Sequence, residues 1–178
     1  LGKGDVPKGA KFVEHAAKNF VETYPFVGGV KVTTSSDFSS QFGFGSSSAS
    51  TVCVLKALSE MSGKKIVNKT IFDLAYKTIL DVQGKGSGFD VAAAIWGGML
   101  YFVTGGKIIE PLEVKDMPLV IGYTGVKADT VTIMGEVSKK MKEQPERVDR
   151  IYDAIEKLVA EAKMKMIEGD WERVGKLM

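Results

Sequence analysis

Near the start of the chain, apolar side chains recur every fourth position: Phe12, Ala16, Phe20 and Tyr24. That spacing puts them on one helical face, so residues 7–24 are predicted to form an amphipathic helix with Pro7 in its first turn. Gly28 and Gly29 break the pattern. The period then falls to two. Val30, Val32 and Thr34 alternate with Lys31, Thr33 and Ser35, which predicts a strand. A helical run follows through Ala49, Val52, Cys53 and Met61, ending near Gly63. A second helix is predicted over residues 68–82, with Asn68 as its N-cap and Ile71, Leu74, Ala75 and Ile79 on its buried face. A short helix over 90–95, a strand over 96–103, a turn at Gly105 and Gly106 and a return strand over 107–109 come next. Residues 119–123, bounded by Pro118 and containing Gly122, read as a buried strand.

From Asp129 the pattern is helical again. Val131, Met134, Val137 and Met141 form one stripe. Ile151, Ile155, Leu158, Val159, Ala162 and Met166 form another after Pro145, and core packing is the expected role of both. Gly169 ends that helix and Asp170 is placed to cap a last one. Strands interleaved with packed helices predict an α+β domain, without internal repeats.

Composition narrows the function more than the fold. The chain has 178 residues, 44% of them hydrophobic and 26% charged, which is globular and not disordered. Lys and Arg total 24 against 22 Asp and Glu, so a net charge of +2 supplies no footprint for nucleic acid. A single Cys excludes an internal disulfide framework or a Cys-rich zinc site, and a single His argues against a multi-His metal centre. No apolar run approaches the roughly 20 residues of a membrane-spanning helix, and no signal peptide is visible, so no membrane association and a cytoplasmic location are expected. The chain starts at Leu1, which reads as a piece of something longer.

The least ordinary stretch is 35–50, with eight Ser, two Gly and three Phe. A strand is predicted to enter it and a helix to leave it, which argues against a floppy linker. Within it, Gly43-Phe44-Gly45-Ser46-Ser47-Ser48-Ala49 combines glycines that let a backbone approach a ligand with a helix N-terminus that attracts phosphate. The segment lacks the Gly-Lys-Ser/Thr ending of a Walker loop and the full dinucleotide fingerprint, and a serine-rich helix cap is the simpler alternative. A second loop, Gln83-Gly84-Lys85-Gly86-Ser87-Gly88-Phe89-Asp90, delivers a carboxylate to a helix start. Asp90 there is either a proton acceptor or an N-cap. Cys53 reads as a small core hydrophobe, and His15, on the first helix, as structural. Lys127 is either a contact for an anionic substrate or a solvated loop lysine.

Taken together, the two loops resemble the galactokinase/homoserine kinase/mevalonate kinase/phosphomevalonate kinase (GHMP) superfamily. Residues 43–49 resemble its Gly-Leu-Gly-Ser-Ser-Ala nucleotide loop, and Gly-Ser-Gly-Phe-Asp at 86–90 resembles its catalytic-Asp segment. The order and separation of the two fit, and the resemblance runs from about residue 30 to the C-terminus. Gln-Gly-Lys-Gly-Ser-Gly-Phe-Asp is nearest the phosphomevalonate kinase branch. Trp-Gly-Gly-Met-Leu-Tyr-Phe and the segment from Pro118 to Thr130 are nearer the mevalonate kinase branch, which is favoured, with sugar kinases third.

The resemblance implies a two-layer fold with a ribosomal-protein-S5-like N-terminal half and a helical, ferredoxin-like C-terminal half, truncated at both ends. Residues 1–110 would be a partial ATP-binding domain and 111–178 a partial C-terminal domain. It further implies phosphoryl transfer from ATP, with Mg²⁺, to a small alcohol such as mevalonate, and a homodimer would suit the family. Gly43, Phe44, Gly45, Ser46, Ser47 and Ser48 would cradle ATP, Ser47 would also bind Mg²⁺, and Asp90 would be catalytic. Ser87, Gly88, Thr124 and Lys127 would face the substrate. The family's second Mg²⁺ ligand, a Glu, falls on Ile79 in an ungapped match, so Asp81 is the nearby carboxylate assigned to that role. The family's N-terminal Lys motif and C-terminal glycine motif are absent, so the competing expectation is a non-catalytic nucleotide-binding fragment.

Overall fold

The computed structural model describes residues 10–25, 28–37, 40–114, 116–126 and 129–178. The chain divides into two compact units, residues 1–110 and 111–178. The first unit is built on three mutually packed helices, α1 (Lys11–Thr23), α2 (Ser46–Met61) and α3 (Asn68–Gln83). A short helix α4 (Phe89–Trp96) packs on α2 and α3, and a hairpin of β1 (Met99–Val103) and β2 (Ile108–Leu112) follows. The boundary between units falls inside β2. Helix with a small sheet makes the chain α+β.

The apolar stripes explain the packing of this unit. Ala16, Ala17 and Phe20 of α1 meet Val52, Leu55 and Leu58 of α2 and Ile71, Phe72, Ala75 and Ile79 of α3, all nearly inaccessible to water. The buried positions of α2 follow the three- and four-residue spacing from Ser48 through Thr51, Val52, Leu55, Leu58 and Ser59. Cys53 falls on the opposite side and is exposed, not the core residue expected. Buried hydroxyls are satisfied locally: Thr51 donates to the Ser47 carbonyl at 2.8 Å and Ser59 to the Lys64 carbonyl at 2.6 Å.

A polar link crosses the α1–α3 interface. The Asn19 amide, itself buried, donates to Thr78 Oγ1 at 3.0 Å and to Asp81 Oδ2 at 2.9 Å. Lys77 Nζ bonds the same Asp81 oxygen at 2.9 Å and also reaches Asn19 Oδ1. These donors hold the Asp81 carboxyl below its ordinary range, the Asn19 bond first and Lys77 second, with a small contribution from the charge of His15.

Several sequence-based expectations change. Residues 30–34 are irregular, and so are 119–123, where Val120 is 96% and Ile121 67% exposed. A strand requires a neighbour to take its N–H and C=O groups, and among the described residues the only paired strands are β1 and β2. β1 starts at Met99 and not Trp96, because Trp96 still belongs to α4 and the positive-φ Gly97 and Gly98 separate the two. Asn68 is the first residue inside α3; Val67 holds the N-cap position and no side chain caps it.

The second unit contains α5 (Thr130–Glu143), α6 (Pro145–Glu168) and α7 (Trp171–Leu177), with α5 against α6 and α6 against α7. Gly169 terminates α6 in the left-handed conformation, and Asp170 caps α7 by accepting from the Arg173 N–H at 3.1 Å. The apolar stripe of α6 is not core: Ile151, Ile155, Leu158 and Val159 are each 44–49% exposed, and the helix buries no residue. Periodicity reports that one face is apolar, not that a partner covers it. No helix of the described residues is long and apolar enough to cross a membrane.

Because donors hold Asp81 ionised, its stabilising effect is present above the ordinary carboxylate pKa of about 4 and is lost as pH falls through the depressed value. Asp81→Asn is therefore expected to lower stability by about 1 kcal/mol at pH 7, a hydrogen-bonded pair near the surface. The difference in melting temperature from the unsubstituted chain should close below pH 4, as followed by circular dichroism.

Candidate active site

The glycine–serine loop ends on the first turn of α2. Gly45 takes the N-cap position with φ of 67°, a left-handed conformation that a side chain rarely tolerates, and no side chain caps the helix. The first-turn N–H groups and the positive end of the helix dipole are thereby directed at whatever lies beyond Gly45. Ser46 and Ser47 are half-buried and Ser48 is buried. Phe44 and Phe42 meet edge to face at 6.0 Å and both are exposed, so an aromatic rim flanks the loop.

What lies beyond Gly45 is Asp90. A Cβ on Gly45 would stand 3.3 Å from Asp90 Cγ and 3.4 Å from its Oδ1. A side chain at position 45 would thus crowd a carboxylate 45 positions further along the chain, and the glycine leaves that space open. Asp90 sits in the first turn of α4, one residue after Phe89 and two after the N-cap Gly88. It still meets solvent, yet the packing around it withdraws water from one side, and this desolvation raises its carboxyl above the ordinary range. The alternative reading of Asp90 as the N-cap is not what is found, since Gly88 occupies that position and α4 has no side-chain cap.

The second loop is held from below. Tyr76 on α3 donates its hydroxyl to the Gly86 carbonyl at 2.9 Å. Its ring lies beneath Gly88, where a Cβ would approach Tyr76 Cδ2 to 3.1 Å, and φ at Gly88 is 90°. Gly105 in the hairpin turn donates its N–H to the Ser87 carbonyl at 2.9 Å. Ile79 Cγ2 would touch a Cβ on Gly86 at 3.3 Å. Ile79 is thus buried under the loop, and at that position the chain offers a methyl group where a metal would need an oxygen.

Of the residues singled out from sequence, Gly45, Ser87, Gly88 and Asp90 therefore belong to one neighbourhood, with Gly43, Phe44, Ser46, Ser47 and Ser48 on the same loop and helix start as Gly45. Asp81 is engaged by Asn19 and Lys77 at the α1–α3 link. Thr124 lies in the second unit, exposed, its hydroxyl bonded to the Val126 carbonyl at 3.2 Å. Lys127 lies outside the described residues. Among the described residues no group of three or more His, Cys, Asp or Glu side chains could hold a metal ion. Tyr76 escaped the sequence reading, because an aromatic in a helix bordering the apolar stripe reads as packing; its ten-residue distance from Gly86 is no recognisable motif.

The family model for the GHMP kinases N terminal domain matches residues 11–98, which spans both loops. The chain belongs to the GHMP kinase superfamily. Among the curated relatives of this GHMP chain, the mevalonate kinase of Pyrococcus horikoshii is 37% identical over 135 residues, 76% of this chain and 40% of that protein. That of Thermococcus sibiricus is 34% identical over 155 residues, 84% and 46%, and that of Pyrococcus abyssi 31% over 172 residues, 94% and 51%. The GHMP chain spans about half the length of the curated relatives it matches. No solved structure matches it.

The raised carboxyl of Asp90 has a thermodynamic signature opposite to that of Asp81. A group that resists ionisation in the fold weighs on stability as pH rises through its raised pKa, and not below the ordinary one. Asp90→Asn is accordingly expected to melt above the unsubstituted chain at pH 7. The gap should narrow as pH falls below about 4, where both side chains are neutral, as read by thermal melts across pH.

Proposed function

We propose that this chain carries the nucleotide-binding core of a mevalonate kinase, transferring the γ-phosphoryl group of ATP to the mevalonate hydroxyl. The observation that carries the reading is the closeness of Gly45 to Asp90, where a Cβ at position 45 would stand 3.3 Å from Asp90 Cγ, so that an uncapped helix start lies beside a partly desolvated carboxylate. That the relatives are mevalonate kinases supports the acceptor. On this reading residues 1–110 belong to an S5-like ATP-binding domain and 111–178 to part of a C-terminal domain, in a cytoplasmic enzyme.

The residues then divide the work. Backbone N–H groups from Gly43, Phe44, Gly45, Ser46 and Ser48 bind triphosphate oxygens, as helix starts bind anions. ATP supplies the transferable group, and Mg²⁺ supplies charge neutralisation across its phosphates. The donor set fits that ion: Mg²⁺ is bound through few protein oxygens plus substrate phosphates, and the half-buried Ser47 hydroxyl at the helix start is one such oxygen. Asp81, whose Oδ2 is taken by Asn19 and Lys77, is assigned as a second ligand. Asp90 orients the acceptor hydroxyl and takes its proton on a carboxylate oxygen. Ser87 and Gly88, on the loop before it, line the acceptor side. Phosphoryl transfer depends mainly on such positioning and charge stabilisation.

In the full chain, Asp90→Asn is expected to lower kcat at least about 100-fold with ATP and mevalonate, in the range of general-base deletions. Near-normal turnover by that variant would overturn the mechanism. A coupled assay offering mevalonate and phosphomevalonate side by side should show preference for mevalonate, and preference for the phosphorylated acceptor would move the chain to the other branch. Ser47→Ala should raise the Mg²⁺ concentration needed for half-maximal rate.

A further inference from the structure

The glycine loop that precedes Asp90 has little of its own to keep it in place. Residues 84–88 contain three glycines, which lose more conformational freedom on ordering than any other residue. Residues 85–87 are neither helix nor strand. Yet the position of Asp90 depends on this loop, because α4 starts immediately after Gly88. Something outside the loop must order it.

Three contacts do so, and two come from one side chain. The Tyr76 hydroxyl donates to the Gly86 carbonyl at 2.9 Å, and the Tyr76 ring lies so near Gly88 that a Cβ there would stand only 3.1 Å from Cδ2. From the other side the Gly105 N–H reaches the Ser87 carbonyl at 2.9 Å. Tyr76 is itself fixed by stacking on Phe72, with ring centroids 5.7 Å apart and planes 25° from parallel, and Phe72 is wholly buried. Polar and apolar ends of one rigid side chain thus engage the middle and the end of the loop.

We infer that Tyr76 is a positioning residue for phosphoryl transfer: it clamps the 84–88 loop and thereby sets Asp90 against the α2 helix start. The inference rests on the kinase reading above. Tyr76 acts through the backbone of Gly86 and Gly88. A misplacement of about 1 Å at a reacting group can lower a rate 100-fold, so a loosened clamp acts on turnover first.

Tyr76→Phe in the full chain removes the hydroxyl and keeps the ring, and two readouts follow. Lys85 is exposed within the loop, so the rate of trypsin cleavage at the Lys85–Gly86 bond, read by mass spectrometry, reports loop opening. Cleavage there is expected to quicken about five- to tenfold, the loss of one hydrogen bond, with other sites unchanged. The kcat should fall about tenfold while KM for ATP stays within about twofold, because the phosphate loop is untouched. Asp73→Ala, which removes only the exposed Lys69 partner on the same helix, should change neither readout. Unchanged cleavage in Tyr76→Phe overturns the clamp, and faster cleavage with unchanged kcat overturns the positioning role. Absence of phosphoryl transfer in the unsubstituted chain overturns the kinase reading and the positioning role with it. The cleavage rates still decide whether Tyr76 holds the loop, so the two failures are told apart.

Discussion

The buried ring of Phe72 is the packing contact on which the candidate site depends. It is inaccessible to water and has Tyr76, Trp96 and Phe102 as ring neighbours at 5.7, 6.2 and 6.2 Å. These four aromatics come from α3, the end of α4 and β1, the elements that enclose the loop carrying Asp90. A Cβ on Gly88 would meet Phe72 Cζ at 3.3 Å. The glycine is favoured by its dihedral angle, φ of 90°, and by the closeness of the ring beneath it. Removing a buried aromatic of this kind costs about 3–5 kcal/mol in cores generally, and here the cavity would open directly under the loop.

Two carboxylates on or next to this scaffold are treated in opposite ways. Asp81 is met by an amide and an ammonium group, which favour its charge and join α1 to α3. Asp90 is given a glycine neighbour and loses water, which disfavours its charge. A chain optimised for stability alone would not leave a charged group in the second situation. Such unfavourable placements concentrate where a carboxylate has chemistry to do.

Helices were legible in the residues because their hydrogen bonds close within the segment. The stripes of α1 and α3, the glycine stop of α6 and the Asp170 cap are all local features. The nucleotide loop and the Asp90 segment were legible for a different reason: both are short, contiguous and glycine-marked. Strands at 30–34 and 119–123 were misread because alternation states only what a strand would look like if a partner existed. The apolar faces of α6 and the position of Cys53 were misread because periodicity does not say which side of a helix is covered. Tyr76 was invisible because its partners, Gly86 and Gly88, are defined by the folded path of the loop.

The residues by themselves determined where most of the helices lie, that the chain is α+β, and which two glycine-marked loops resemble those of its superfamily. The tertiary structure alone decided that Gly45 lies close to Asp90, that Asp90 is partly desolvated while Asp81 is paired, and that the Tyr76 hydroxyl bonds Gly86. The division follows from range. Backbone propensity, capping and glycine turns act over a few residues, whereas the closeness of positions 45 and 90 requires α2, α3 and α4 to be packed in one arrangement. That packing is set by the summed burial of many side chains, and no single stretch of sequence contains it.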